Sequence, residues 1–159
     1  MNINIIALGK IKEKFMKEAI KEFQKRLSRY CKLTIIELDD EKAPEKLSRK
    51  DMEIVKDKEG QKILKKINPS TYIITLEIEG KNLTSEDFSK KMEDIMIQGG
   101  NDISFIIGGS LGLSKEVLSR ANYRLSFSKM TFPHQLMRLI LLEQIYRGFR
   151  IMKNEPYHK

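Results

Sequence analysis

The side chains best suited to proton transfer lie together near the end of the chain. Both histidines, His134 and His158, fall in the last segment, and Tyr157 directly precedes the second of them. Histidine changes charge near neutral pH and is the commonest general acid or base in enzymes. A tyrosine ring can stack on an unpaired RNA base. The segment therefore predicts proton-handling chemistry, with two alternatives: a frayed terminus, and a structural role for His134 beside Pro133.

A second group of residues could hold a ligand. The glycine-rich turn 108–112 follows the apolar run Ile103–Ile107, and two further runs end at Leu76 and Phe127. Open α/β sheets bind ligands at the carboxyl ends of their strands, where glycine lets the backbone approach a ligand closely. The segment 127–132 would add apolar walls and backbone donors, a mixture that suits a flat heteroaromatic ring such as adenine. The alternative is an ordinary chain reversal with no ligand.

Several other kinds of site are excluded by their missing motifs. The chain has no phosphate-binding P-loop, no dinucleotide-binding G-x-G-x-x-G turn and no G-x-S-x-G nucleophile elbow. One cysteine and two distant histidines give no metal-ligand spacing, so no metal site is expected. Cys31 cannot form an internal disulfide and is expected to be a small buried hydrophobe, which fits a reducing cytoplasm.

Strand-like and helix-like patterns alternate from one end of the chain to the other. We expect strands over residues 3–8, 33–38, 72–78, 103–107 and 123–127, and helices over residues 12–30, 48–67, 85–98, 114–121 and 133–152. Such alternation predicts an α/β fold with a mainly parallel sheet covered by helices on both faces, formed by one domain over residues 1–159.

Local signals refine that prediction at three places. Ser48 with Asp51 predicts a capped helix start, and residues 80–82 predict a turn. Phe15 falls in the apolar pattern of the first helix and is expected in its core-facing stripe.

The final predicted helix is apolar on more than one face. A helix that covers a single sheet needs only one apolar stripe. We therefore expect a second copy of the chain to cover the other face, since two-fold homodimers are the commonest oligomers. The alternative is a helix buried entirely within one chain. The residues concerned are Leu136, Met137, Leu139, Ile140, Leu141, Leu142, Ile145, Tyr146 and Phe149.

The charge of the chain is uneven, with a net value of +8. Residues 10–32 and 120–159 are strongly basic, whereas residues 67–119 are acidic. Two basic blocks predict a face that meets RNA or DNA, and the alternative is ordinary solvated helix surface. No apolar run reaches the roughly 20 residues that cross a membrane, and the first residues lack the features of a signal peptide.

Taken together, these motifs resemble the RlmH-type ribosomal RNA methyltransferases of the SPOUT class. The resemblance covers essentially the whole chain and is carried by seven segments: residues 5–14 (IIALGKIKEK), 76–81 (LEIEGK), 106–112 (IIGGSLG), 127–132 (FSKMTF), 133–135 (PHQ), 143–147 (EQIYR) and 156–158 (PYH).

The resemblance implies a fold, a reaction and a target. The fold is an α/β domain whose C-terminal part, within about residues 71–159, forms a deep trefoil knot and the dimer helix. The reaction uses S-adenosylmethionine to methylate N3 of a pseudouridine in the helix 69 loop of 23S rRNA, on assembled 70S ribosomes in the cytoplasm. Two alternatives stay open: a ribosome-associated RNA-binding protein without catalysis, and a SPOUT enzyme with another RNA target.

The resemblance also implies residue roles. Tyr157 and His158 would lie on the substrate side, with His158 accepting the N3 proton and Arg147, or Arg150, stabilising negative charge on the base. The cofactor residues implied are Leu76, Gly108, Gly109, Phe127, Ser128, Lys129, Met130, Thr131 and Phe132.

Overall fold

The computed structural model describes residues 1–159 and contains five strands alternating with five helices, as the sequence predicts. The strands are β1 (Asn2–Leu8), β2 (Lys32–Leu38), β3 (Tyr72–Asn82), β4 (Asp102–Ile107) and β5 (Tyr123–Ser126). The helices are α1 (Lys14–Leu27), α2 (Arg49–Leu64), α3 (Ser85–Ile97), α4 (Lys115–Arg120) and α5 (His134–Met152).

All five strands belong to one sheet of order β2-β1-β4-β3-β5, and every neighbouring pair is parallel. The predicted mainly parallel sheet is thus confirmed. The two most continuously apolar strands, β1 and β4, lie in its interior, because strands covered on both faces must be apolar on both. Since β4, β3 and β5 are neighbours, the three segments that follow their pairing regions meet at one edge of the sheet.

Helices cover both faces of the sheet. Alternate side chains of β1 point to opposite faces. Ile3 and Ile5 join a large core cluster with residues of α1, α3 and α5, and Ile6 joins a smaller cluster with residues of α2 and α4. Cys31 is buried in the larger cluster, and this burial raises the pKa of its thiol to about 11.

Of the three local predictions, the capped helix start is confirmed, whereas the turn and the burial of Phe15 are wrong. The Ser48 hydroxyl accepts a hydrogen bond from the Asp51 amide, and the Asp51 carboxylate accepts one from the Ser48 amide, so the capping box is confirmed. The predicted turn at residues 80–82 is wrong, because β3 continues to Asn82 and pairs with β5 again after an irregularity between Leu76 and Lys81. Phe15 was expected in the core, but it is 68% exposed.

None of the five helices has the length and apolar character that crossing a membrane requires.

Candidate active site

A cavity of about 380 Å³ opens at the carboxyl edge of the sheet, where β4, β3 and β5 lie side by side. Eight of the nine residues predicted to hold a cofactor line it, whereas Lys129 is exposed and does not. The eight are Leu76, Gly108, Gly109, Phe127, Ser128, Met130, Thr131 and Phe132. The structure therefore brings together segments from three separate parts of the chain.

The glycine turn forms one wall of the cavity because the chain folds back on itself there. The Gly112 amide donates to the Gly109 carbonyl at 3.1 Å, and Gly112 has a φ of 86°, a value that side chains other than glycine rarely adopt. A Cβ on Gly108 would lie 3.0 Å from the Gly112 carbonyl carbon and 3.0 Å from a Leu113 methyl group. A larger residue at 108 would therefore push the backbone of the turn outwards.

The remaining walls are mostly apolar. Ile78, Phe127 and Phe132 line the cavity, and Glu77 is its single carboxylate. Arg124 donates to Glu77, with one nitrogen–oxygen distance of 2.9 Å. A cavity of this size and character matches small-molecule sites, which are largely apolar and have a few polar groups that fix orientation. The lining thus fits an adenosine-containing cofactor.

A half-buried ion pair attaches the first turns of α5 to the opposite half of the sheet. Arg138 is 1% exposed; it donates to the Glu37 carboxylate at 2.6 Å and to the Gly9 carbonyl at 2.9 Å. His134, which lines the cavity, packs so closely on Gly9 that a Cβ there would lie 3.0 Å from its Nε2 atom. The Arg138 contacts therefore position the end of α5 that closes the cavity.

A buried carboxylate stands behind the glycine turn. Glu59 of α2 is 4% exposed, and its oxygens would lie 3.2 and 3.4 Å from a Cβ on Gly109. The Glu41 amide donates to it at 3.2 Å. Burial raises the pKa of Glu59, and the hydrogen bond from Glu41 opposes this shift. No sequence pattern pointed to this residue.

The C-terminal residues form a connected hydrogen-bond network. Arg147 donates to Glu143 at 2.6 Å, and Tyr157 donates to the same carboxylate oxygen at 3.0 Å. Arg147 also contacts His158, whose other ring nitrogen lies 2.8 Å from Glu86. We call Glu86, Glu143, Arg147, Tyr157 and His158 the tail network. The chain end is folded onto the protein by these contacts.

The contacts of His158 fit one tautomer of its ring. Arginine can only donate hydrogen bonds, so the Arg147 nitrogen 3.3 Å from Nδ1 requires a lone pair there. The proton of the ring then sits on Nε2 and is donated to Glu86. In this tautomer the ring nitrogen that carries the lone pair faces Arg147.

Tyr157 is held from several sides. The Arg147 guanidinium lies 4.7 Å from the centre of its ring, and the Tyr146 ring meets it edge-on at 4.9 Å. Burial, followed by the hydrogen bond to Glu143, raises the pKa of Tyr157. The ring is therefore positioned by the fold and remains protonated at neutral pH.

The cavity and the tail network lie at opposite ends of α5 within one chain. His134 and Met137 in the first turns of α5 line the cavity, and Arg147 lies ten residues beyond Met137, about 15 Å at 1.5 Å per residue. None of Arg147, Tyr157 and His158 lines the cavity. The structure therefore does not bring the predicted cofactor residues and the predicted catalytic residues together in one chain.

Comparison with known proteins identifies the family. A family model described as "Predicted SPOUT methyltransferase" matches residues 1–158. The chain belongs to the SPOUT methyltransferase family. Three relatives named "Ribosomal RNA large subunit methyltransferase H" are similar over the whole length of both chains: they come from Clostridioides difficile, at 67% identity, Clostridium botulinum, at 62%, and Clostridium beijerinckii, at 60%.

The SPOUT fold is also found in a solved structure. A Legionella pneumophila protein, described as a methyltransferase in complex with the bound cofactor SAM, matches with a TM-score of 0.51 at 12% identity. The match covers 94% of this chain and 66% of that one. The resemblance drawn from the sequence motifs is thus confirmed at the level of family and fold.

Two members of the tail network were not singled out from the sequence of this SPOUT protein. Glu143 joins Arg147 to Tyr157, and Glu86 holds His158. Glu143 lies four residues before Arg147, a spacing that pairs side chains on a helix and could have indicated it. Glu86 is 72 residues from His158, so no local signal could connect the two. The structure contains no group of three or more histidine, cysteine or acidic residues that could hold a metal ion.

Proposed function

We propose that the protein methylates N3 of a pseudouridine in the helix 69 loop of 23S rRNA, using S-adenosylmethionine, on assembled 70S ribosomes in the cytoplasm. The observation that carries the proposal is the cavity at the ends of β4, β3 and β5, in a chain 67% identical to a protein named for ribosomal RNA methylation. The knot expected of this fold would pass through the segments that line this cavity.

The cofactor would be held by the glycine turn and by residues 127–132. Gly108 and Gly109 both line the cavity, and a side chain at either position would crowd the turn or Glu59. Phe127 and Phe132 supply apolar surface for the adenine. The bound cofactor supplies a methyl group that its sulfonium already activates, so the protein mainly has to orient the acceptor nitrogen and exclude water.

The tail network would handle the proton and the charge on the base. The N3 proton must leave so that the nitrogen has a lone pair to attack the methyl group. An imidazole can act as a base, and Arg147 contacts the Nδ1 atom of His158. We infer that substrate draws Arg147 towards the base, where the guanidinium stabilises negative charge and frees His158 to accept the proton. Tyr157 would orient the base.

The site would be completed by a second copy of the chain. Arg147 lies ten residues beyond Met137, the last residue of α5 that lines the cavity, which is about 15 Å along the helix. Leu136, Met137, Leu139 and Ile140 stay partly exposed on the same helix. Packing two α5 helices in opposite directions about a two-fold axis would cover these residues and bring each tail to the partner's cavity. We therefore propose a homodimer with two composite sites.

Methyl transfer tests the reaction. Labelled S-adenosylmethionine would be supplied with 70S ribosomes lacking the modification, with the same ribosomes lacking the helix 69 pseudouridines, and with naked 23S rRNA. Label at the helix 69 pseudouridine, strongest on intact ribosomes, is expected. Label elsewhere would indicate a SPOUT enzyme with another RNA target. Ribosome binding without cofactor binding or transfer would leave a non-catalytic RNA-binding protein.

Mixing two inactive variants tests the composite site. Gly108→Ala damages the cavity, and Tyr157→Ala with His158→Ala removes the tail groups. In random mixed dimers half are heterodimers with one intact cavity facing one intact tail, so about a quarter of wild-type activity should return. No recovery from stable mixed dimers would mean that the tail does not act across the dimer.

A further inference from the structure

Four lysines form an exposed row along α1, one on each successive turn. Lys14, Lys17, Lys21 and Lys25 follow the spacing i, i+3, i+7 and i+11, which places them on one face of the helix. All four are exposed, and none has a carboxylate oxygen within 4.0 Å. We call this row the lysine stripe. Its charge is not neutralised within the protein.

The arrangement of the stripe is unfavourable for the helix alone. Lys17 and Lys21 are four residues apart, as are Lys21 and Lys25, and like charges at this spacing repel. Two acidic residues of α1 lie beside the row: Glu18 is four residues after Lys14 and three before Lys21, and Glu22 pairs with Arg26. These two carboxylates offset only part of the charge, because α1 carries five basic side chains against two acidic ones. The remaining positive charge on this exposed face fits a polyanionic partner.

The stripe runs between the cavity and the tail network of its own chain, and therefore between the two composite sites of the proposed dimer. α1 begins just after Gly9, whose carbonyl accepts from Arg138 in the part of α5 next to the cavity. Near the other end of α1, the Arg26 guanidinium lies 5.7 Å from the centre of the Tyr146 ring, which itself contacts Tyr157. From Lys14 to Lys25 the row spans about 16 Å.

The proposed dimer would leave the stripe open. α1 turns Phe23 and Arg26 towards Tyr146 of α5. At about 100° per residue, the lysines project from the opposite side of α1. Contacts through the outer face of α5 therefore would not cover them.

We propose that the lysine stripe is a docking surface for the phosphate backbone of the substrate RNA. This inference rests on the proposed function, because it assigns the RNA to the same active site. Flexible lysine side chains one turn apart can follow a phosphate backbone without reading its sequence. RNA bound along α1 would leave the active site beside the cavity and extend along the protein surface towards the tail network of the same chain.

A charge-matched pair of variants tests the stripe. In one variant Lys14, Lys17, Lys21 and Lys25 are changed to glutamine, which keeps helix propensity. In the control, Lys42, Lys46, Arg49 and Lys50 are changed to glutamine. These four residues are also exposed and have no carboxylate within 4.0 Å, but they lie in and before α2, on the other face of the sheet.

The readout is affinity for 70S ribosomes as a function of KCl at constant Mg²⁺, together with cofactor affinity and dimer mass. The stripe variant should bind ribosomes at least about tenfold more weakly at moderate salt, and its log–log salt slope should fall by about 3, since each lost phosphate contact removes about 0.7–0.9. The control should keep its slope within about 1 of wild type. Cofactor affinity and dimer mass should not change.

Other results would overturn the proposal. Equal losses in both variants would indicate attraction to net charge, and unchanged binding would exclude RNA contact at the stripe. A monomeric stripe variant would show that the row meets a second copy of the chain. If the predicted losses occurred but the wild type transferred no methyl group, the docking surface would stand and the proposed function would fail.

Discussion

Replacing Arg138 by methionine should destabilise the protein and loosen the cavity. Arg138 is 1% exposed and bonds both Glu37, at 2.6 Å, and the Gly9 carbonyl, at 2.9 Å. Methionine keeps much of the length and volume of the side chain, so the change mainly removes the charge and its hydrogen bonds. It leaves a carboxylate and a carbonyl without a donor from α5.

The expected loss of stability depends on the polar groups that Arg138→Met leaves without a partner. Breaking a buried ion pair by removing one partner costs about 3–5 kcal/mol. The Glu37 side chain is 37% exposed and also accepts from the Ile11 amide at 2.9 Å, so water and this amide can partly replace Arg138. The free energy of unfolding should therefore fall by about 3 kcal/mol, near the lower end of this range. About 1 kcal/mol of that loss comes from the Gly9 carbonyl.

Urea unfolding monitored by circular dichroism measures this change, and cofactor titration measures its effect on the cavity. Arg26→Met is the matched control, because Arg26 pairs with Glu22 at 2.9 Å on the surface and should cost less than about 1 kcal/mol. Cofactor affinity should fall for the Arg138 variant, because its contacts position the first turns of α5. A loss of stability below about 1 kcal/mol for Arg138→Met would refute the reasoning.

Three further predictions concern single side chains. In calorimetry, Gly108→Ala should weaken cofactor binding more than Gly109→Ala. The new Cβ at position 108 would lie 3.0 Å from backbone atoms, whereas the Cβ at position 109 would lie 3.2 Å from the end of the flexible Glu59 side chain. Equal effects of the two substitutions would contradict this steric argument. Because the pKa of Glu59 is raised, folding favours its protonated form, and stability is lost as the pH rises through that pKa. Glu59→Gln should therefore raise the melting temperature at pH 7, with a gain that shrinks towards pH 4; a constant gain would exclude titration as the cause. Cys31, with a pKa of about 11, should react with iodoacetamide at pH 8 about 10²-fold more slowly than a free cysteine, and rapid labelling of folded protein would contradict its burial.

The elements of this protein are determined by local sequence. Apolar β-branched runs, helical spacing and the Ser48–Asp51 capping box all act within a few residues, and each predicted strand and helix is present. The segments that line the cavity were also predictable, because the carboxyl ends of parallel strands meet at one edge and glycine marks close backbone approach.

The burial of individual residues was less predictable. Phe15 follows the apolar pattern of α1 but is 68% exposed, because the pattern does not specify how α1 is rotated against α5. β3 passes through a glycine-containing segment that predicted a turn, because pairing with β5 continues there. In both cases contacts with a distant element decided the outcome.

The arrangement of the site was decided by tertiary structure. Arg138 and Glu37 are 101 residues apart, and Glu86 and His158 are 72 residues apart, so nothing local joins either pair. The sequence placed chemically useful residues in the last segment, but the length of α5 sets where they lie. Because α5 is a rigid helix of 19 residues, it holds Tyr157 and His158 away from the cavity of their own chain. The sequence motifs do not show this separation, which is the physical reason to expect a site shared between two chains.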